Sequence, residues 1–407
     1  MGGKKSRKSS CQSHQYLTSA SRRLIIPSAI PLSLYVHLPW CTQKCPYCDF
    51  NSHEGFSPDL QAPYVTALLQ DFESQLPGVE GRVVESIFIG GGTPSLFSGE
   101  WIQCLLSGLA KRIPFAQGAE VTLESNPGSA ERGRYQSYLD AGVTRLSIGV
   151  QSFNDEALGR LGRVHSGDDA RQALELASTT GFRNWNIDLM HGLPEQTADD
   201  AAADLSEALA LSAGHISWYQ LTIERNTRFW TAQPVLPDET TLEAIQSTGE
   251  QLLSNAGYCQ YEVSAFCRPG YESRHNLNYW GFGDYVGLGA GAHGKISQQD
   301  GQILRTQRTR GPADYLALIT NGSMPPPRGK TLNQQERIVE YAMNALRLKS
   351  GSPVDQFTQR TGLPLQELER AAEEAQSRGW IAHLESGSLK ATPLGYQFLD
   401  SVVASFL

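Results

Sequence analysis

A chain of 407 residues is long enough to bury a large core in more than one unit, so it needs no covalent staple to fold. With 34 Lys and Arg against 42 Asp and Glu, its net charge of -8 excludes a broad basic footprint for nucleic acid. Seven cysteines, an odd number, with Cys41, Cys45 and Cys48 crowded together, exclude a paired disulfide framework and point to soft-metal ligation in a reducing, cytoplasmic setting.

Residues 1–30 carry Lys4, Lys5, Arg7, Lys8, Arg22 and Arg23 among serines without an acidic residue, a composition expected of a disordered extension. The opening MGGKKS also fits a myristoylation pattern, and the Arg- and Ser-rich composition fits a transit peptide; a plain extension is the simpler expectation. No apolar run approaches the roughly 18 residues needed to cross a bilayer.

From Pro31 onward β-branched runs alternate with helix-patterned stretches. The runs are SLYVHL (33–38), VVESIFIGGG (83–92), AEVTLESNP (119–127), RLSIGVQS (145–152), NWNIDLMHG (184–192) and HISWYQLTIE (215–224). Six such strands with helical crossovers predict an α/β fold, a partial (β/α)6 TIM-like barrel over 31–265. Polar and glycine residues follow each apolar run, so they are expected to converge on one face of the barrel.

A further strand is expected at YCQYEVSAF (258–266). The aromatic, glycine-rich segment SRHNLNYWGFGDYVGLGAGAHG within 266–329 is expected to cap the barrel. Pro325 to Pro327 mark a boundary, and 330–407 reads as helices followed by a hairpin, GWIAHLESGSLKATP, a helical, winged-helix-like unit without a basic face.

The sharpest signal is Cys41-Thr42-Gln43-Lys44-Cys45-Pro46-Tyr47-Cys48, a C-x3-C-x2-C loop directly after the first strand. Three thiolates can hold three irons of a [4Fe–4S] cubane and leave the fourth iron open. A structural zinc site is the alternative; it needs a fourth ligand, which His53 is placed to supply. Cys104, Cys259 and Cys267 lie outside the loop and are expected to be buried free thiols. One strand later, Gly90-Gly91-Gly92-Thr93-Pro94 offers bare backbone that can approach a ligand and present N–H groups to it.

This cysteine spacing, with aromatic Tyr47 before the last cysteine, resembles the signature of the radical S-adenosylmethionine (SAM) superfamily. The resemblance implies that the open iron chelates SAM, that Tyr47 borders it, and that Gly91, Gly92 and Thr93 receive its amino end. Within that superfamily the chain resembles the oxygen-independent coproporphyrinogen III oxidase family. By that match Tyr35, Glu124, Gln151, Arg163 and Asp188 fall at SAM contacts, the last three in a second SAM set. Taken singly, each has an ordinary structural alternative, such as a helix cap for Asp188 or a surface ion pair for Arg163.

From about Leu34 to the C-terminus the resemblance is to the haem-chaperone branch of this family. The oxidase carries a further cysteine two positions after the third ligand, where Phe50 stands here. The motif His275-Asn276-Leu277-Asn278-Tyr279-Trp280 implies a haem contact through His275, with His293 a second candidate. Imidazole is a common haem ligand, and Tyr279 with Trp280 offers flat apolar surface. The alternative is that His275 only anchors a loop.

The expected function is a haem chaperone that uses a [4Fe–4S] cluster and SAM, binds haem and delivers it to respiratory haem proteins, without coproporphyrinogen oxidation. Peripheral membrane association and a homodimer are both compatible with this. The rivals are a true coproporphyrinogen oxidase and a radical SAM methyltransferase.

Overall fold

The structure, a computed structural model, describes residues 25–128, 133–319 and 322–407. Six strands form its centre: β1 (Leu32–Leu38), β2 (Val84–Gly91), β3 (Phe115–Ser125), β4 (Arg145–Gln151), β5 (Asn184–His191) and β6 (His215–Gln220). They are parallel and neighbour one another in chain order. Strands buried on both faces read as nearly continuous apolar runs, as Leu32–Leu38 does. Residues such as Leu34, Val36, Ile87, Ile89 and Leu123 pack outward against helices including Gln61–Gln75 and Gly99–Ala110, forming one large core.

Two crossover helices start where the sequence says they must. Ser166 with Asp169 and Thr197 with Asp200 each make a reciprocal capping box at the first turn. The chain therefore leaves each of these strand–helix loops at a fixed point, which keeps the carboxyl ends of the strands facing one mouth.

The sheet continues past β1 and β6 and stays open. The stretch expected as one strand at 258–266 folds back as a hairpin, β7 (Cys259–Glu262) and β8 (Ala265–Cys267), with β8 antiparallel to β6. At the other edge β9 (Asp284–Leu288) runs parallel to β1. The antiparallel strands β10 (His293–Ser297), β11 (Ile303–Gln307) and β12 (Arg328–Thr331) follow, giving twelve strands in all. The segment 266–329, expected as a cap, thus mostly widens the sheet. Gly287 in β9 and Gly294 in β10, on either side of the small-residue turn 289–292, weaken the alternation that marks a strand. Its short helix Arg274–Trp280 does lie against β1 and β2.

Two buried carboxylates fasten this extension. Asp284 bonds Arg82 (2.7 Å), Lys295 (2.7 Å) and the Ser297 hydroxyl (2.9 Å). Asp71 accepts from Arg308, from the Tyr315 hydroxyl (2.8 Å) and from the Gly289 N–H (3.1 Å). A second core gathers the helices Gln334–Ala345, Val354–Thr361 and Leu365–Ser377 with Phe282, Ile303 and Leu332. Ser352–Pro353 pairs with Ser388–Leu389, and Ile381 bridges Ala391, so a small antiparallel wing accompanies those helices.

Ile25 and Ile30 are buried in the same second core, which corrects the expectation of disorder through residue 30: these two apolar side chains give 25–30 enough surface to pack. The myristoylation and transit-peptide patterns lie outside the described residues. Among the described residues no helix is long and apolar enough to cross a membrane.

Candidate cluster and cofactor site

The cysteine loop leaves the mouth of the barrel directly after β1 and closes on itself. Trp40 bridges His53, the Cys41 N–H donates to the His53 carbonyl (2.9 Å), and the His53 N–H donates to Pro39 (2.7 Å). Within the loop the Cys48 N–H donates to the Cys45 carbonyl (3.2 Å), and Lys44 Nζ donates to the Phe50 carbonyl (2.9 Å). Cys41, Cys45 and Cys48 together line one cavity of about 480 Å³. Burial raises the thiols of Cys41 and Cys48 above their ordinary pKa, so it takes a bound cation to hold them as the thiolates that ligate metal.

Among the described residues no three His, Cys, Asp or Glu side chains meet around a single-ion site, and His53 Nε2 is engaged by Asn51 Oδ1 (3.3 Å). Among the described residues the donor set is three thiols without a fourth protein ligand, which fits a cubane with one open iron. Of the other described cysteines only Cys267 is buried; Cys104 and Cys259 are exposed on outer faces, contrary to expectation.

The glycine run serves packing more than donation. A Cβ on Gly92 would stand 2.5 Å from the Trp40 carbonyl oxygen, and Gly91 adopts a φ of +120° against the His37 ring. The N–H groups expected to face a ligand are spent: Gly91 donates to Glu124 Oε2 (3.0 Å), Gly92 to Leu38 (2.8 Å) and Thr93 to Trp40 (2.7 Å). The bare backbone lets the end of β2 lie directly against the cluster loop, and Gly91, Gly92 and Thr93 still line the cavity.

Glu124, Gln151, Arg163 and Asp188 complete the wall, with Tyr47 seated on Phe229 at the rim. Gln151 has a φ of +69° where the β4–β5 register slips, and its Oε1 accepts from the Tyr219 hydroxyl (2.8 Å). Arg163 donates to Cys45 Sγ (3.5 Å), Asn126 Oδ1 (2.7 Å) and the Gly149 carbonyl (2.9 Å). Asn126 in turn donates to Thr93 Oγ1 (3.1 Å), so the cluster loop and the glycine run are joined through one guanidinium. Asp188 is held by Ser147 (2.9 Å) and Asn186 (2.6 Å). Burial, with Asp188 nearby, pushes the Glu124 carboxyl up to about 8.

Sequence reasoning missed Asn126, Ser147, Asn186, Tyr219 and Arg145, whereas His215, expected with His37, His165 and His191 to be a neighbour of the SAM site or core, does line the cavity. The signal for Asn126 was present, because it follows Glu124 at the mouth end of β3. Arg145 opens β4 and looks like an ordinary strand start.

Tyr35 does not line this cavity. It borders a second chamber of about 620 Å³ with Phe88, Tyr279, Tyr285, His293 and Arg310, and the two spaces share Asp49, Phe50, Phe88, Gly91 and Glu124. Tyr35 donates or accepts at His37 Nδ1 (2.8 Å). His275 lines neither space. Its ring stacks on Phe88 (4.4 Å between centroids) and meets Tyr279 edge-on (4.3 Å), and Nδ1 has no partner. Burial pushes this imidazole down to about 3, so it is neutral. The motif delivers Tyr279 to the chamber wall and packs His275 behind it.

The model of the radical SAM superfamily matches residues 35–208, and that of the HemN C-terminal domain matches 332–398. The chain is 47% identical over 383 residues to the haem chaperone HemW of Escherichia coli (strain K12), covering 93% of this chain and 98% of the relative. It is 44% identical to the HemW of Haemophilus influenzae over 392 residues, covering 94% and 99%. The solved structure of the E. coli coproporphyrinogen III oxidase HemN, a radical SAM enzyme, aligns with a TM-score of 0.77 at 23% identity over 93% of this chain and 90% of that one, which shows the shared fold. The chain belongs to the radical SAM superfamily and, within it, to the HemW family.

Proposed function

We propose that this protein is a haem chaperone: it binds haem and passes it to haem-requiring respiratory proteins, without oxidising coproporphyrinogen. The observation that carries the proposal is the joining of two spaces, a polar one walled by Cys41, Cys45, Cys48, Glu124, Arg163 and Asp188, and an aromatic one beside it. Its close HemW relatives bear the name of haem chaperones.

In this reading Cys41, Cys45 and Cys48 hold a [4Fe–4S] cluster, and SAM occupies the polar cavity. When bound, the reduced cluster supplies the electron that opens a C–S bond of SAM. The chain's own share is to bind and orient. Glu124 accepts from the N–H of the amino end, and Gln151, Arg163 and Asp188 fix the rest of SAM and any second copy of it. Met190 and Leu221 exclude water from the apolar side. Tyr35 acts through His37, and His275 braces the aromatic chamber. Phe50 stands between the two spaces, 59% exposed, where the oxidase family has a further thiol. Contact with a membrane would come through the respiratory acceptor.

The test is an anaerobic haem titration of the cluster-reconstituted chain, paired with a coproporphyrinogen assay under reducing conditions. Saturable binding near one haem per chain with no turnover is expected. Coproporphyrinogen decarboxylation would replace this proposal with the oxidase, and stoichiometric S-adenosylhomocysteine would replace it with a methyltransferase.

A further inference from the structure

We infer that Ser52, Thr93 and Arg163 are positioning residues that set the reduction potential of the cluster, by donating hydrogen bonds to the sulfurs of Cys48, Cys41 and Cys45. The inference rests on the reading that these three cysteines hold a [4Fe–4S] cluster. A cysteine that ligates iron does so as a thiolate, and reduction adds one more negative charge to the group it holds. Donors aimed at the sulfurs therefore favour the reduced form and raise the potential.

Each sulfur has a donor beside it. Arg163 donates through Nη1 to Cys45 Sγ (3.5 Å). The Ser52 hydroxyl lies 3.8 Å from Cys48 Sγ and 3.5 Å from the Phe50 carbonyl, and a thiolate is the stronger acceptor of the two. The Thr93 side chain is hydrogen-bonded to Cys41. Its oxygen already accepts from Asn126 Nδ2 (3.1 Å), so its own hydrogen is left for the sulfur. Asn126 Oδ1 in turn accepts from Arg163 Nη2 (2.7 Å). Arg163 thus acts on Cys45 directly and on Cys41 through a relay whose bonds polarise one another.

The packing holds these donors in place. Ser52 and Thr93 are buried. Gly162, with a φ of +66°, presses the turn that carries Arg163 onto the cluster loop, where a Cβ would stand 2.8 Å from Pro46 Cδ. From Phe229 a backbone N–H donates to the Pro46 carbonyl (3.0 Å). Lys44 Nζ binds the carbonyls of Phe50 (2.9 Å) and Ser52 (3.3 Å), which fixes the segment that presents the Ser52 hydroxyl.

The experiment is an anaerobic redox titration of the full, cluster-reconstituted chain without SAM, with the reduced cluster followed by electron paramagnetic resonance. It compares the unaltered chain with Ser52→Ala, Ser52→Thr and Arg163→Gln. Leaving out SAM separates the potential from any part Arg163 plays in binding SAM. The signal comes only from loaded molecules and is scaled to its own maximum, so incomplete loading does not alter the potential.

Ser52→Ala is expected to lower the potential, so that at one fixed ambient potential the ratio of reduced to oxidised cluster falls about tenfold, equivalent to about 59 mV for one electron. Ser52→Thr, which keeps the hydroxyl, is expected to stay near the unaltered chain. Arg163→Gln is expected to fall further than Ser52→Ala, because it removes a charge together with the donor and its relay. Potentials of Ser52→Ala and Arg163→Gln equal to that of the unaltered chain would overturn the inference. If Ser52→Ala holds no cluster, Arg163→Gln decides by the same comparison. An unaltered chain that gives no cluster signal on reduction would instead overturn the cluster reading, and this inference with it.

Discussion

Asn51 and Ala290, far apart in sequence, are joined by a hydrogen bond from Asn51 Nδ2 to the Ala290 carbonyl (3.0 Å), and the same amide reaches the Arg310 carbonyl (2.9 Å). One side chain of the cluster loop therefore fastens the rim of the aromatic chamber. Asn51→Ala removes donors from partly buried carbonyls and is expected to cost about 1–3 kcal/mol in denaturant unfolding. It should also weaken haem binding, and removal of the cluster by mutating Cys41, Cys45 and Cys48 should weaken it in the same direction. Unchanged haem affinity in both would show that the two spaces are independent.

Arg163 joins Cys45, Asn126 and Gly149 with a planar fork, and Lys cannot reproduce that geometry. Arg163→Lys is expected to weaken SAM by about tenfold or more in calorimetric titration. Asn126 is also left without its donor. A lysine variant with native SAM affinity would remove Arg163 from the site.

Glu124 carries a pKa raised to about 8, so in the ligand-free site its carboxyl is mostly protonated at neutral pH. The N–H donors of SAM's amino end placed beside it favour the ionised form, and its ionisation on binding then releases a proton. SAM affinity is expected to rise with pH up to about 8 and then level off. Calorimetry in buffers of different ionisation enthalpy should report up to one proton released from Glu124 near neutrality, beyond any that the amino group loses on ligating iron, and Glu124→Gln removes that part. A pH-independent affinity with no proton release would contradict this.

Asp284 ties β9 to Arg82 and Lys295 in the interior. Burial alone would raise its carboxyl, but Lys295 and Arg82 outweigh burial and hold it below the ordinary 3.8. A depressed carboxylate stabilises the fold above its unfolded pKa. That contribution should fade as pH falls from about 4 through the still lower folded value. Asp284→Asn leaves two buried cations short of an anion and is expected to cost about 3–5 kcal/mol at neutral pH, with less difference from the unaltered chain in acid. Urea melts across pH check both parts.

The six parallel strands were legible because their β-branched runs end in polar residues, and the cluster loop because three thiols at C-x3-C-x2-C have few other uses. The extension from β9 to β12 was not legible. The end of β9 and the start of β10 fall in GLGAGAHG, where small residues blur the period of two, and the anchors Asp71 and Asp284 find their partners only in three dimensions. The placement of Glu124 and Gln151 was readable from strand ends, whereas Asp188 lies within β5 and Arg163 lies beyond the helix Asp155–Arg160, so only their motifs pointed to the same wall. The spending of the Gly91 to Thr93 N–H groups on Glu124 and the cluster loop was not, since backbone pairing across a loop leaves no mark on residue type. His275 shows the same limit: a motif names a residue but does not say which side of an aromatic wall it occupies.

The most direct test of the account is haem transfer. The haem-loaded, cluster-reconstituted chain is mixed anaerobically with a haem-free respiratory enzyme, and the haem on each protein and the acceptor's activity are followed together. The account predicts that haem leaves this chain chemically unchanged and appears on the acceptor in step with its activity. Haem that stays on the chain while the acceptor remains inactive would contradict it.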